Sequence, residues 1–151
     1  EDGVVNARNM SRILKKFEGA HKFLPSPIFK QETNASANGI IYFGSTEAVM
    51  QESLDELTSL GFPIDAMRIR AFPFNTDVWD FIDQHESIFI VEQNRDAQMK
   101  TLVLAEGNIN PNKLMSVLCF DGAPITAKFI SNSIIAVLSD KNISKTAEDL
   151  K

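Results

Sequence analysis

Apolar and polar positions follow one another along the chain in a pattern that predicts helices and strands in turn. Four apolar side chains in residues 9–20 recur at the spacing of one helical face: Met10, Ile13, Leu14 and Phe17. This spacing predicts an amphipathic helix. After it come Pro25, Pro27 and a polar stretch without periodicity, residues 31–38. We interpret residues 1–38 as the helix followed by a linker.

From Gly39 onward the pattern becomes regular. Four apolar runs are predicted to form strands: residues 40–43, 67–71, 87–91 and 114–120. A helical pattern follows each run, and Asp96 is predicted to cap the helix after the third strand. The last helix is predicted to end at Leu138. This alternation predicts an α/β fold with a mostly parallel sheet between helices in residues 39–138, and residues 139–151 form a polar tail.

Composition excludes several classes of protein. The net charge of -5 and the pI near 5.0 argue against a nucleic-acid partner, because proteins that bind nucleic acids present a basic surface. No apolar run approaches the roughly 20 residues of a membrane span. The single cysteine, Cys119, excludes an internal disulfide, and the amino terminus has no signal-peptide pattern. We therefore expect a cytoplasmic protein without membrane segments.

Ser45 and Thr46 follow the first predicted strand and precede its helix. The backbone N–H groups of a helix amino terminus can bind a phosphate or a carboxylate. The segment lacks the Gly-Lys-Ser/Thr ending of a phosphate-binding loop, however. A structural turn with a helix cap is the favoured interpretation of these two residues.

A second group of polar residues follows the apolar strand 87–91, and its candidate site residues are Glu92, Asn94 and Gln98. The plain alternative is a helix cap with solvated neighbours. Because the group follows a rigid strand, we favour a surface that binds a partner, with the amides on backbone groups and Glu92 on an arginine.

Arg68 and Arg70 alternate with apolar residues on the second predicted strand. They could bind an anion or an acidic partner, but charged residues that protect an edge strand are the favoured interpretation. His21 and His85 lie far apart in the sequence without a matching cysteine or carboxylate pattern, so no metal site is predicted. No residue lies in a recognisable catalytic context.

Several separated motifs resemble one family. They are Gly39-Ile-Ile-Tyr-Phe-Gly-Ser-Thr46, Arg68-Ile-Arg-Ala-Phe-Pro73, Val91-Glu-Gln-Asn-Arg-Asp-Ala-Gln98 and Gly122-Ala-Pro-Ile-Thr126. In this order they resemble the carboxyl-terminal region of the alpha subunit of 2-oxoacid:ferredoxin oxidoreductases, from about Asn9 to Ile134. Ala97 stands where the family usually carries glycine, a change that we expect to matter little.

The resemblance implies a three-layer α/β domain like the carboxyl-terminal domain of transketolase. It implies a parent enzyme that oxidatively decarboxylates a 2-oxoacid to an acyl-CoA and passes electrons through iron-sulfur clusters to ferredoxin. Thiamine diphosphate and Mg²⁺ would act in other domains or in a beta-type subunit. This domain would then bind no cofactor, be inactive alone, and pack against those other domains and that subunit.

A second hypothesis, which assigns a ligand-binding rather than an assembly function, stays open. The chain could be a free-standing α/β module that binds a small anion at the carboxyl edge of its sheet, with Arg68 or Arg70 countering the charge. The two hypotheses differ in a simple observation, because only the second predicts that a small anion or coenzyme A stabilises the isolated chain.

Overall fold

A computed structural model describes residues 2–30 and 36–148, without the side chains of residue 21 and of residues 141–148. The central part of the predicted linker, residues 31–35, lies outside the described residues. The helices are α1 (Gly3–Ala20), α2 (Glu47–Ser59), α3 (Thr76–Gln84), α4 (Gln98–Glu106) and α5 (Ala127–Glu148). The strands are β1 (Ile28–Lys30), β2 (Asn38–Phe43), β3 (Asp65–Ile69), β4 (Ser87–Glu92) and β5 (Leu114–Leu118).

The strands form one sheet in the order β1-β3-β2-β4-β5. Strands β2 to β5 are parallel, and β1 is antiparallel to β3. The predicted α/β fold with a mostly parallel sheet is therefore confirmed. Strand β1, however, lies in the segment predicted to be a linker. Because β1 covers the outer side of β3, the prediction that the Arg68 strand lies at an edge is wrong.

The core lies on both faces of the sheet. On one face, α2 and α5 pack over Ile40, Phe89 and Val117; on the other, α3 and α4 cover Ile41 and Ile90. All six residues of β4 are buried, as a central strand covered on both faces requires. Helix α5 continues to Glu148, beyond the end predicted at Leu138.

A buried polar pair joins the amino ends of β3 and β4. His85 follows α3, and its Nδ1 lies 2.6 Å from the carbonyl oxygen of Phe81, so that this nitrogen donates. Its Nε2 lies 3.2 Å from the Asp65 carboxylate, and both side chains are almost fully buried. His85 thus ends α3 and also ties this helix to β3.

Helix α1 differs from the other helices because none of its residues is buried. Its apolar face, from Met10 to Phe17, is about half exposed. One contact to the domain is between the rings of Phe17 and Phe72, whose centroids lie 5.7 Å apart. No described helix is long and apolar enough to cross a membrane.

Candidate functional site

The sheet has a topological switch point between β2 and β4. The chain leaves β2 towards α2 on one face of the sheet, and it leaves β4 towards α4 on the other face. In open α/β sheets, the carboxyl ends of two such strands border the crevice in which ligands bind. We call the two segments at this position, Gly44–Thr46 and residues 93–98, the switch-point rim.

The first segment of the rim is a tight 3₁₀ turn. Gly44 has a φ of +61°, a left-handed conformation that glycine adopts without strain. Ser45 is exposed, whereas Thr46 is buried. The predicted helix cap is absent here, because the Thr46 side chain makes no capping hydrogen bond to α2.

The carboxylate of Glu92 caps α4 from the end of β4. It accepts hydrogen bonds from the backbone N–H groups of Met99, at 2.7 Å, and Lys100, at 3.1 Å. These are two of the donors that a helix amino terminus leaves unsatisfied, and negative charge is favourable there. The predicted cap by Asp96 is wrong, since Asp96 is exposed and instead accepts from Nε of Arg95 at 2.8 Å.

Asn94 holds the loop between β4 and α4 in shape. Its Nδ2 donates to Glu92 at 2.8 Å, and its Oδ1 accepts from the N–H groups of Asp96 and Gln98, at 3.1 and 3.3 Å. Glu92 is fully buried, so its predicted pairing with an arginine of a partner is corrected to an internal role. Asn94 likewise makes its hydrogen bonds within the loop.

Gln93 joins the two segments of the rim, a role that the sequence analysis missed. Its Nε2 donates to the hydroxyl oxygens of Ser45, at 3.0 Å, and Thr46, at 3.2 Å. The residues that follow β2 and β4 meet because the two strands are neighbours in the sheet. The strand order was the missing signal, since the sequence pattern does not reveal it.

Ala97 is the amino-terminal cap residue of α4 and has left-handed backbone angles, φ 49° and ψ 48°. Such a conformation disfavours residues with a Cβ atom. The expectation that alanine in place of the family's glycine changes little is therefore corrected, because this position lies outside the helix and favours glycine.

Arg68 and Arg70 lie beside the rim and are used within the domain. Nε of Arg68 lies 3.7 Å from the Glu47 carboxylate, and Nζ of Lys30 lies 3.3 Å from it. Nε of Arg70 donates to the carbonyl oxygen of Ser26 at 2.8 Å. Both arginines therefore hold β1 and the segment before it against β3 and α2.

The Glu47 carboxylate also accepts a hydrogen bond from the hydroxyl of Tyr42, at 2.6 Å. Burial, followed by this hydrogen bond, raises the pKa of Tyr42 well above its usual value. The hydrogen bond from Tyr42 is the main cause that lowers the pKa of Glu47, and Lys30 acts in the same direction. Glu47, directly after Thr46, is thus a fixed carboxylate at the start of α2.

The exposed side chains of the rim are Ser45, Gln93, Arg95, Asp96 and Gln98. The described residues contain no group of three or more histidine, cysteine, aspartate or glutamate side chains that could hold a metal ion. Burial raises the pKa of the Cys119 thiol, as suits a residue of the core. The exposed rim offers hydrogen bonding by the amides of Gln93 and Gln98 and the hydroxyl of Ser45, together with the charges of the Arg95–Asp96 ion pair.

No protein-family model and no curated protein matches this chain. Solved structures do match. A 2-oxoglutarate:ferredoxin oxidoreductase from Magnetococcus marinus, with 2-oxoglutarate, coenzyme A and succinyl-CoA bound, is similar at a TM-score of 0.76 and 24% identity. The match covers 89% of this chain and 23% of that one, so the chain spans about a quarter of that relative.

A second similar structure is the alpha chain of a probable 2-oxoacid ferredoxin oxidoreductase from Thermoplasma acidophilum. It has a TM-score of 0.50 and 20% identity, and the match covers 76% of this chain and 97% of that one. At these identities the likeness establishes the fold. Two solved oxidoreductases of the kind that the sequence motifs resemble therefore contain this α/β domain.

Proposed function

We propose that this chain is a non-catalytic docking domain of the alpha subunit of a 2-oxoacid:ferredoxin oxidoreductase. The switch-point rim contacts a neighbouring domain of the subunit or the beta-type subunit. The parent complex oxidatively decarboxylates a 2-oxoacid to an acyl-CoA and passes the electrons to ferredoxin. The isolated chain is then expected to be inactive.

The observation that carries this proposal is the internal bracing of the rim. Glu92 and Asn94 fix the loop from within, and Gln93 ties it to Ser45, so the exposed polar groups lie on a loop that is held by its own hydrogen bonds. Preorganised polar groups lose little conformational entropy when they bind a partner. The likeness of fold to two oxidoreductases of this kind supports the choice of parent enzyme.

Among the described residues there is no ligand set for the metal-containing cofactors of the parent complex. A single cysteine cannot hold an iron-sulfur cluster, and the described residues offer no acidic or histidine cluster for Mg²⁺. In the proposal, thiamine diphosphate, Mg²⁺ and the iron-sulfur clusters are held by other domains or subunits. Coenzyme A likewise binds outside this domain.

The test uses the full parent chain, purified together with its beta-type subunit. The variant Ser45→Ala with Gln93→Ala removes the bond between the two rim segments and the polar groups offered to a partner. The control, Gln51→Ala with Ser59→Ala, changes the same residue types on the exposed side of α2. Asn94 is unsuitable for this test because it holds the loop.

We expect the rim variant to lower the yield of complex or its thiamine-dependent turnover at least several-fold, while the control stays normal. The melting temperature of the isolated rim variant should stay within about 2 °C of the parent chain, since both side chains are exposed at the surface. Normal assembly and normal turnover in the rim variant would refute the docking role.

The alternative of a small-anion module is decided by ligand-dependent stability of the isolated chain. A ligand present at 100 times its Kd adds about 2.7 kcal/mol to the free energy of unfolding. Inorganic phosphate and coenzyme A are the probes, each followed by thermal unfolding. No shift with either probe at millimolar concentration supports docking, whereas a saturating shift with one of them favours the anion module.

A further inference from the structure

The two edges of the sheet differ in how well they are protected. Strand β1, at one edge, has three residues, directly follows Pro27 and ends at Lys30, which pairs with Glu47. A short strand with a proline and a charge is a common protection against edge pairing. Strand β5, at the other edge, has five residues without charge, proline or glycine, Leu114–Leu118.

Within the described part of the chain, no strand pairs with the outer side of β5. A row of backbone N–H and C=O groups is therefore presented there to another strand. Leu114 and Val117 are buried in the core of their own chain, whereas Met115 and Leu118 are half-buried and Ser116 is exposed. From this we infer that β5 pairs antiparallel with β5 of a second copy, which joins the two sheets into one.

The identity of the occupant follows from the self-complementary sequence of this edge. In antiparallel pairing centred on Ser116, each serine faces the serine of the other copy, Leu114 faces Leu118, and Met115 faces Val117. Apolar side chains thus meet apolar side chains on both faces of the joined sheet, and such cross-strand pairs stabilise a ladder. One surface patch serves both copies, as a two-fold interface requires.

Charge at the two ends of the strand selects the antiparallel direction. Lys113 precedes β5 and Asp121 follows it closely. Antiparallel pairing brings each lysine near the aspartate of the other copy, whereas parallel pairing would place like charges together. Lys113 now donates to the carbonyl oxygen of Asp83 at 3.3 Å, and its ammonium group has further donors to share.

The interface is independent of the proposed docking function. Strand β5 lies at the edge of the sheet, whereas the switch-point rim lies at the carboxyl ends of β2 and β4. The two copies run in opposite directions, so their rims face away from each other and stay accessible. Failure of one proposal therefore leaves the other standing.

A disulfide measures the predicted contact directly. In a Cys119→Ala background, Ser116→Cys places two thiols opposite each other, and Cα atoms that face each other across antiparallel strands are about 4.5–5.5 Å apart. This separation lies within the range of a disulfide, about 4.4–6.8 Å. The control is Ser59→Cys in the same background, since Ser59 is also an exposed serine and lies at the end of α2.

With oxidised glutathione, most of the Ser116→Cys chain should become a covalent dimer, at least ten times faster than the Ser59→Cys chain. Equal rates for the two variants would overturn the proposal. A second experiment uses no introduced cysteine. Sedimentation measures the association of the variants Ser116→Lys and Ser116→Glu, each alone and both mixed, and circular dichroism monitors their fold.

Each charged variant alone should dimerise at least tenfold more weakly than the parent chain, because like charges face each other across the two-fold axis. The equimolar mixture should regain dimers, since lysine then faces glutamate. A parent chain that stays monomeric at every concentration up to the millimolar range would overturn the proposal, as would a mixture that behaves like its separate components.

Discussion

At the scale of single residues, Ala97 lies in a backbone conformation that alanine adopts at a cost. For an L-residue the left-handed region costs about 1–2 kcal/mol, and glycine escapes this cost. We predict that Ala97→Gly raises the free energy of unfolding by about 1 kcal/mol and the melting temperature by about 2–4 °C. Ala105→Gly is the matched control, because Ala105 is an exposed helical residue of α4.

The control should change stability in the opposite direction, by at most about 0.5–1 kcal/mol, since glycine has a lower helix propensity than alanine and Ala105 lies in the last turn of α4. Chemical denaturation of both variants, followed by the fluorescence of the sole tryptophan, Trp79, measures the two changes. If both substitutions destabilised the chain equally, Ala97 would not have the left-handed conformation.

Glu92 supports the amino terminus of α4 through a buried charge. We predict that Glu92→Gln lowers the free energy of unfolding by about 2–3 kcal/mol, because the amide replaces one acceptor by a donor and removes a charge-assisted bond. Gln98→Ala, on the exposed side of the same helix start, should change stability by less than about 0.5 kcal/mol. Urea denaturation compares the two, and equal effects would contradict the capping role of Glu92.

The same residue illustrates what could be predicted from the sequence. A polar cluster after a buried strand was expected at the right place, because apolar runs and the residues that end them are local signals. Which residue of this cluster caps the helix could not be predicted from the sequence. Asp96 has the position of a cap, yet Glu92 reaches back from β4 to bind the helix, and that contact depends on how the loop folds.

At the scale of elements, the hydrogen bond from Tyr42 to Glu47 joins β2 to the start of α2. It lowers the pKa of Glu47, and burial raises the pKa of Tyr42. A lowered carboxyl pKa adds stability above the unfolded value of about 4, and this is lost as pH falls through the folded value. A raised tyrosine pKa adds stability below about pH 10, lost at higher pH.

We therefore predict that Tyr42→Phe costs about 1 kcal/mol near pH 7 and progressively less below about pH 4 and above about pH 10. Urea denaturation of both chains across this range gives the difference as a curve with a central plateau. Phe43→Leu, next to Tyr42 in β2 and without an ionisable group, is the control and should give a difference that does not vary with pH. A flat difference for Tyr42→Phe would contradict the coupling.

The elements also mark the limit of prediction from pattern. Strands β2 to β5 are apolar runs with helical segments between them, and their existence was predicted. Strand β1 has only three residues after Pro27, too few for a periodic signal. It exists because Phe29 packs against Phe81 and because Lys30 and Arg68 share the Glu47 carboxylate, contacts between parts of the chain distant in sequence.

At the scale of the whole molecule, α1 and the α/β domain are two unequal parts. Helix α1 buries none of its residues, although most of the stability of helices in proteins comes from tertiary packing of an amphipathic face. Its contribution to the stability of the domain is therefore expected to be small. One link is the contact of Phe17 with Phe72, and Phe72 in turn packs on Phe74, which packs on Trp79.

Removal of residues 1–20 should consequently change the free energy of unfolding of the remaining domain by less than about 1 kcal/mol, roughly the value of one exposed aromatic pair. Trp79 fluorescence during urea denaturation reports this free energy, because its ring packs edge-on against Phe74 at 5.6 Å within the domain. The comparison is with Phe17→Ala in the full chain, which removes the same ring pair, leaves the Phe72–Phe74 contact in place and keeps the helix. If the truncated domain lost far more stability than the Phe17→Ala chain, then α1 would stabilise the domain through contacts other than this ring pair. The apolar face from Met10 to Phe17 would then be part of the domain's packing.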